Sequence, residues 1–110
     1  MRAATLRFQL ADAVRRKLRV HQVDFDAAFL QANVDGDIYL RPPPGVNCPT
    51  GCCVKLLKSI YGLKQSAYLW GNDLAALLES LKFRRCVGDP CLWIHDSADG
   101  YITISTWVDD

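Results

Sequence analysis

Two aspartates stand side by side at the end of the sequence, directly after an apolar, alternating run. The run reads "ISTWVDD", and the pair is Asp109 and Asp110. Two carboxylates about 4 Å apart repel each other by roughly 4 kcal/mol at an effective dielectric near 20, so something must compensate them. A divalent cation does so, and Mg²⁺ is bound through carboxylates together with substrate phosphates. The pair therefore indicates either a metal site or a polar, solvated turn.

A third aspartate, Asp24, lies in "VHQVDF", where the alternation of side chains predicts a short strand. If this strand lies beside the strand that ends in Asp109, three carboxylates meet at one sheet edge. That arrangement is what two-metal phosphoryl transfer requires. Aspartate is also common at strand ends and turns, so residue type and spacing alone leave a purely structural role open.

The first twenty residues are predicted to form a helix. Leu6, Leu10, Val14 and Leu18 recur at four-residue spacing and form one apolar stripe, which is expected to face the core. Thr5 is placed to cap the start of this helix. The last turn is basic, with Arg15, Arg16, Lys17 and Arg19 opposite the negative helix end.

Further along the chain, short elements alternate with turns. "DAAFLQANV" predicts one or two helical turns, "DIYLRP" a short strand, and "CCVKLLKSIYGLK" a strand that runs into a glycine turn. The longest predicted helix carries the stripe Trp70, Leu74, Leu77, Leu78 and Leu81. "CLWIH" and "YITISTWV" flank a polar turn and predict a hairpin. The fold class is α+β, with a small, mainly antiparallel sheet and helices packed on one face.

Composition excludes several classes of protein. The chain has 110 residues, a net charge of +1, and apolar runs far shorter than the roughly 20 residues that span a bilayer. We expect no membrane partner, no signal peptide, and a cytoplasmic or nuclear location. The five cysteines favour inert, reduced thiols. A zinc site built from Cys48, Cys52, Cys86 and Cys91 is the alternative.

Several motifs in fixed order give a specific resemblance. They are "VHQVDFDAAFL", "IYLRPPPG", "VKLLKSIYGLKQSAYLW", "DPCLWIH" and "WVDD". In this order they strongly resemble the reverse transcriptase of copia-type long-terminal-repeat retrotransposons, over nearly the whole chain. The resemblance implies the palm of a right-hand polymerase and RNA-directed DNA polymerisation in the full-length protein.

The resemblance also implies roles for single residues. Asp24, Asp109 and Asp110 become the catalytic carboxylates and the ligands of two Mg²⁺ ions, which Mn²⁺ can replace. The backbone carbonyl of Phe25 would also contact metal, and Phe29 would pack beneath the sugar of the incoming nucleotide.

A second motif, "YGLKQ", would border the template and the nucleotide at the start of the long helix. Its residues are Tyr61, Gly62, Leu63, Lys64 and Gln65. The implied partners are an RNA template, a DNA primer, deoxynucleotides and the remainder of the polyprotein. The implied location is a cytoplasmic virus-like particle or the nucleus.

The sequence departs from the family pattern at three positions. Trp107 stands where the family usually has tyrosine, and Ala67 and Tyr68 stand where it often has proline and arginine. Residues 1–110 are expected to form a single partial palm domain without the fingers strands and without anything after "VDD", and to be inactive in isolation. The alternative is a non-catalytic transposon relic that acts at most as a small globular or protein-binding module.

Overall fold

The computed structural model describes residues 1–108 and contains three helices and five short strands. The helices are α1 (Ala3–Arg16), α2 (Ala28–Gln31) and α3 (Ser66–Ser80). The strands are β1 (Tyr39–Leu40), β2 (Val54–Lys55), β3 (Arg84–Arg85), β4 (Leu92–Ser97) and β5 (Gly100–Ser105). All pairings are antiparallel, with β1 beside β2 in one sheet and the order β3-β4-β5 in the other. The mixed fold class is confirmed, but the strands form two small sheets instead of the single predicted one.

The chain divides into two compact units. The hairpin unit consists of Met1–Asp24 together with the chain from Leu74 onward, and the turn unit is Phe25–Asp73. No helix in the described part of the chain is long and apolar enough to cross a membrane.

The hairpin unit is built on β4 and β5, which confirms the predicted hairpin. Leu92 pairs with Ser105 at one end, and Ser97 pairs with Gly100 at the other, so only two residues form the turn. Trp93, 2% exposed, packs with Leu78 of α3 in the centre of the core. Ala75 is the third buried member of this core, and the partly buried side chains of Leu74, Phe83 and Ile104 pack against it.

Helix α1 forms as predicted, but the prediction of its buried face is wrong. Leu6, Leu10 and Val14 are exposed, whereas Asp12 and Ala13 are buried. The inward face instead combines Ala13 with polar side chains, and the polar side chains form hydrogen bonds. The helix ends at Arg16, and Lys17 follows in the left-handed conformation with φ 58°.

A buried carboxylate anchors the start of α1. One oxygen of Asp89, 5% exposed, accepts from the backbone N–H of Arg2 and from the Thr5 hydroxyl, and the other accepts from the N–H of Cys91. These three donors, with the Thr5 hydroxyl contributing most, hold the pKa of Asp89 well below its usual range. Thr5 therefore binds Asp89, and its predicted role as the helix cap is wrong.

A second carboxylate lies on the same inward face of α1. Asp12 accepts from the guanidinium of Arg15 at 2.7 Å and from that of Arg16 at 3.0 Å. These interactions, led by the hydrogen bond from Arg15, lower the pKa of Asp12 although burial opposes the shift. Arg16 also lies over the ring of Tyr101 on β5, at 4.1 Å from the ring centre.

The turn unit contains mostly short elements. Strands β1 and β2 have two residues each, and Asn33 and Lys58 form one isolated bridge. The predicted helical turns in "DAAFLQANV" are confirmed as α2, whereas the longer predicted strand around "CCVKLLK" is reduced to β2. Ala32 and Ser59 of this unit are both 0% exposed, and the Ser59 N–H donates to the Ala32 carbonyl at 2.9 Å.

The predicted strand over residues 20–25 is wrong. This segment has no regular secondary structure, and none of the strands in residues 1–108 pairs with it. An alternating pattern becomes a strand only when a neighbour takes up its backbone hydrogen bonds, and no described strand supplies them.

Candidate functional site

Asp24 lies in the irregular segment that follows α1. Its side chain is exposed, and it belongs to the hairpin unit. Helix α1 ends eight residues earlier, so the position of Asp24 depends on where α1 is held and on the path of the connecting segment. The structure thus places Asp24 on an accessible surface but not at a strand end.

The other two predicted carboxylates, Asp109 and Asp110, lie outside the described residues. The chain that leads to this pair is described as far as residue 108. After β5 ends, the Thr106 N–H donates to the Cys91 carbonyl at 2.9 Å, which holds the chain against the start of β4 for one further residue. Trp107 is 64% exposed. The convergence of Asp24 with the pair therefore stays a prediction.

Two predicted site residues come together in the turn unit. The rings of Phe29 and Tyr61 lie with their centres 4.6 Å apart and their planes tilted by 51°. Phe29 is 8% exposed and Tyr61 is 65% exposed, so Tyr61 covers Phe29 and faces solvent. The fold therefore joins the "DAAFL" and "YGLKQ" motifs through a direct aromatic contact.

Phe25 makes a separate aromatic contact in the same unit. Its ring meets that of Trp70 on α3 edge-on, with the ring centres 5.2 Å apart and the planes at 66°. Trp70 is 9% exposed, whereas Phe25 is 47% exposed. Phe25 and Phe29, on either side of the start of α2, are thus each tied to the long-helix region by a ring contact.

The "YGLKQ" motif forms the turn that leads into α3. Gly62 has φ +95°, a conformation that side chains with a Cβ rarely adopt, and nothing lies within 4 Å of the position that a Cβ would occupy. Lys64 is exposed, whereas Leu63 and Gln65 are half-buried. The turn thus presents an open backbone and a cation at the start of the helix.

Sequence reasoning missed the pair that holds this turn. The Ser59 hydroxyl donates to Ser66 Oγ at 2.6 Å, and the Ser66 hydroxyl donates to the Ile60 carbonyl. Both serines are essentially inaccessible, at 0% and 1% exposed. The signal in the sequence was the serine on each side of "IYGLKQ", since small hydroxyl residues beside a glycine turn commonly bond to the backbone.

The His, Cys, Asp and Glu side chains of the described residues do not form a metal site. Within residues 1–108, no group of three or more His, Cys, Asp or Glu side chains is arranged to hold a metal ion, which includes the four cysteines of the zinc alternative. All five cysteines are free thiols. The predicted Mg²⁺ ligands are different in kind: three carboxylates, the oxygen donors that Mg²⁺ prefers, of which only Asp24 is described.

Comparison with known proteins gives one family over the whole chain. The family model described as "Reverse transcriptase (RNA-dependent DNA polymerase)" matches residues 1–110. No solved structure matches significantly.

Three curated relatives support the same family. The Pol polyprotein of transposon RE1 from Arabidopsis thaliana is 32% identical over 113 residues, which cover 100% of this chain and 8% of that protein. A Ty5-1 transposon protein of Saccharomyces cerevisiae is 38% identical over 80% of this chain and 29% of its own length. The Ty1-NL2 Gag-Pol polyprotein of the same yeast is 32% identical over 92% of this chain and 6% of its own length.

This chain therefore spans less than a third of the length of each of these three relatives. The resemblance predicted from the motifs is confirmed by both kinds of comparison. The chain belongs to the reverse transcriptase (RNA-dependent DNA polymerase) family, within the Pol polyproteins of copia-type retrotransposons.

Proposed function

We propose that this chain is part of the palm of a polymerase that copies an RNA template into DNA. The observation that carries the proposal is the family match over residues 1–110, with the motifs in the family's order. The contact between Phe29 and Tyr61 supports it, because two motifs that are distant in sequence meet in the fold. The complete activity belongs to the longer protein, together with the rest of the polyprotein, in a cytoplasmic virus-like particle or the nucleus.

Asp24, Asp109 and Asp110 would hold two Mg²⁺ ions, with the carbonyl of Phe25 as a further oxygen donor. Bound metal at such a site would activate the primer hydroxyl and stabilise the charge that develops on the transferred phosphoryl group. The exposure of Asp24 fits this role because a ligand shared with substrate phosphates must be reachable from solvent.

Phe29 is proposed to limit the room beneath the sugar of the incoming nucleotide. Its ring is held by Tyr61, so it cannot swing aside without losing that contact. Phe29→Val should increase incorporation of ribonucleotides relative to deoxyribonucleotides by the longer reverse transcriptase, because it removes ring volume. Phe8→Val, at an exposed position of α1, is the matched control. An unchanged ratio of ribonucleotide to deoxyribonucleotide incorporation in Phe29→Val would mean that Phe29 only packs in the core.

The turn at Gly62 is proposed to border the template and the nucleotide. The open space around Gly62 allows a close approach of another backbone, and Lys64 beside it supplies a positive charge for a phosphate. Gln65 offers an amide directly before the start of α3. Together these residues fit a nucleic-acid partner better than a small apolar ligand.

The test is primer extension on an RNA template with Mg²⁺ or Mn²⁺ and deoxynucleotides. We expect extension by the longer reverse transcriptase that carries this segment, and its loss in Asp24→Asn and in Asp109→Asn. The 110-residue chain alone should give none, because nucleotidyl transfer rests mainly on positioning of template, primer and nucleotide. An inactive longer protein would favour the non-catalytic relic, and extension that survives both substitutions would contradict the assigned carboxylates.

A further inference from the structure

Gln9 joins α1 to β5 through three hydrogen bonds. Its Nε2 donates to the backbone carbonyl and to the hydroxyl of Thr103, each at 3.1 Å. Its Oε1 accepts from the Ser105 hydroxyl at 2.7 Å. All three side chains are half-buried. Because the amide uses both its donor and its acceptor, it fixes the helix along the strand as well as against it.

This tie matters because apolar packing does little to place α1. Leu6, Leu10 and Val14 are exposed, so the usual apolar stripe is not what holds the helix. The other fastenings are polar as well: Asp89 at the helix start and Arg16 over Tyr101 near its end. Directional contacts set a distance and a register, whereas an apolar surface tolerates sliding. Gln9 lies between these two polar contacts and is hydrogen-bonded directly to β5.

The two elements that Gln9 joins lead to the proposed catalytic carboxylates. The chain runs from α1 to Asp24, and from β5 through Thr106 to Asp109 and Asp110. We propose that Gln9 is a positioning residue for nucleotidyl transfer, which sets the register between the segment carrying Asp24 and the strand leading to the aspartate pair. This inference rests on the proposed function.

The first test compares Gln9→Met with Gln31→Met in the longer reverse transcriptase. Methionine keeps the length and helix propensity of glutamine but loses all three bonds. We expect Gln9→Met to lower kcat per active site by about tenfold or more, since small misplacements of reacting groups are costly, with KM for deoxynucleotide changed by less than about twofold. Gln31, exposed on α2, should tolerate the same change.

Counting active sites by burst amplitude separates positioning from stability. A residue that only stabilises the fold would lower the number of active molecules and leave kcat per active site unchanged. Equal kcat per active site in Gln9→Met and Gln31→Met would therefore overturn the proposal. If Gln9→Met does not fold, Ser105→Ala and Thr103→Val each remove one hydroxyl partner of Gln9 and leave the bond to the Thr103 carbonyl in place. Both variants must lower kcat per active site for the proposal to stand.

The second test asks whether Gln9 acts through β5. If it does, Ser105→Ala should cost little once Gln9→Met is present, so the double variant should lose less than the product of the two single losses. Fully multiplicative losses would overturn the proposal. In the 110-residue chain, Gln9→Met should also speed amide hydrogen exchange of Thr106 and Trp107, a readout that needs no activity, and an unchanged rate would contradict it.

Failure of this inference can be told from failure of the proposed function. If Asp24→Asn and Asp109→Asn abolish extension while Gln9→Met matches its control, the function stands and the role of Gln9 is rejected. If the aspartate variants remain fully active, the function is rejected, and the role of Gln9 with it.

Discussion

The hairpin unit and the turn unit solve the problem of stability in different ways. The hairpin unit has two six-residue strands in continuous register and a buried indole, Trp93, at its centre. The turn unit has two-residue strands, and its fully buried groups are small: Ala32, Ser59 and Ser66. One unit depends on the apolar volume of Trp93 and a sheet ladder, and the other combines ring contacts at Phe29 and Trp70 with hydrogen bonds between its most deeply buried groups.

This difference indicates how each unit responds to change. Apolar contacts of a large ring are spread over many neighbours, so only the loss of the ring itself is severe. The buried hydroxyl of Ser59 donates to Ser66 Oγ, and Ser66 in turn donates to the Ile60 carbonyl, so loss of the Ser66 hydroxyl breaks both bonds. The stability of the hairpin unit should therefore be most sensitive to loss of the central Trp93 ring. The stability of the turn unit should be sensitive to loss of a single buried hydrogen bond.

The largest effect is expected in the hairpin unit. Trp93→Ala should lower the free energy of unfolding by about 3–5 kcal/mol, because it empties the core beside Leu78. Urea denaturation gives the magnitude, and amide hydrogen exchange should show loss of protection throughout β4 and β5. Ile102→Ala, 53% exposed on β5, is the control and should cost much less. Similar losses in the two variants would mean that the core is placed wrongly.

The turn unit should respond to loss of a single hydroxyl. Ser66→Ala leaves the buried Ser59 hydroxyl without its acceptor and should cost about 1–3 kcal/mol. Ser80→Ala, which removes an exposed local bond on α3, is the matched control. Hydrogen exchange should speed up around the "YGLKQ" turn while β4 and β5 keep their protection. A loss of protection spread equally over both units would break the contrast between them.

Asp89 should make the hairpin unit sensitive to acid. Its pKa is lowered in the folded chain, so the unfolded chain takes up a proton first as the pH falls. The stability from its three hydrogen bonds is complete above the ordinary value of 3.8 and declines below it.

Asp89→Asn should therefore lower Tm by about 5 °C at pH 7, as expected for weakened charge-assisted bonds in a domain of this size. The difference from the unsubstituted chain should narrow as the pH falls from 4 toward 2. Thr5→Val, which removes one donor, should give a smaller shift with the same pH trend. A difference in Tm that stays constant down to pH 2 would contradict the role of the charge.

The smallest changes in stability are expected for alanine substitutions of two glycines near the start of α3. Gly62→Ala should destabilise by about 1 kcal/mol, because φ +95° is strained for alanine although space is available. Gly71→Ala, in the helix and also without a close neighbour, should stabilise by about 0.5–1 kcal/mol. A lower Tm for Gly62→Ala together with a higher Tm for Gly71→Ala would support the left-handed conformation of the turn. Shifts of Tm in the same direction would contradict it.

The sequence predicted features that depend on local chemistry and missed those that depend on partners far away in the chain. The hairpin was predictable because alternation over six residues and a polar turn depend only on local chemistry. The burial of α1 was not predictable, because its inward face carries polar side chains and the residues that bind this helix, Asp89 and Thr103, are far away in sequence. The strand at residues 20–25 was predicted from a pattern whose pairing depends on other parts of the chain.

The candidate site was predictable only through its motifs. Residue type and spacing left a purely structural role open for Asp24, and the ordered motifs gave it a proposed catalytic role. The contact between Phe29 and Tyr61 agrees with the motif assignment but could not be derived from it, because the path between them passes through irregular loops. Ser59 and Ser66 left only a faint signal, since serine beside a turn is common.

The carboxylate of Asp12 lowers the positive charge that the basic end of α1 would present to a polyanion. In the sequence this end is a dense run of cations, but Arg15 and Arg16 share Asp12 between them, so the three residues carry one positive charge instead of two. Binding to a nucleic-acid backbone loses affinity with salt in proportion to the number of phosphates that are neutralised. The helix end should therefore contribute a shallower salt dependence than its arginine count suggests. Because the pKa of Asp12 is lowered, this neutralisation persists under mildly acidic conditions.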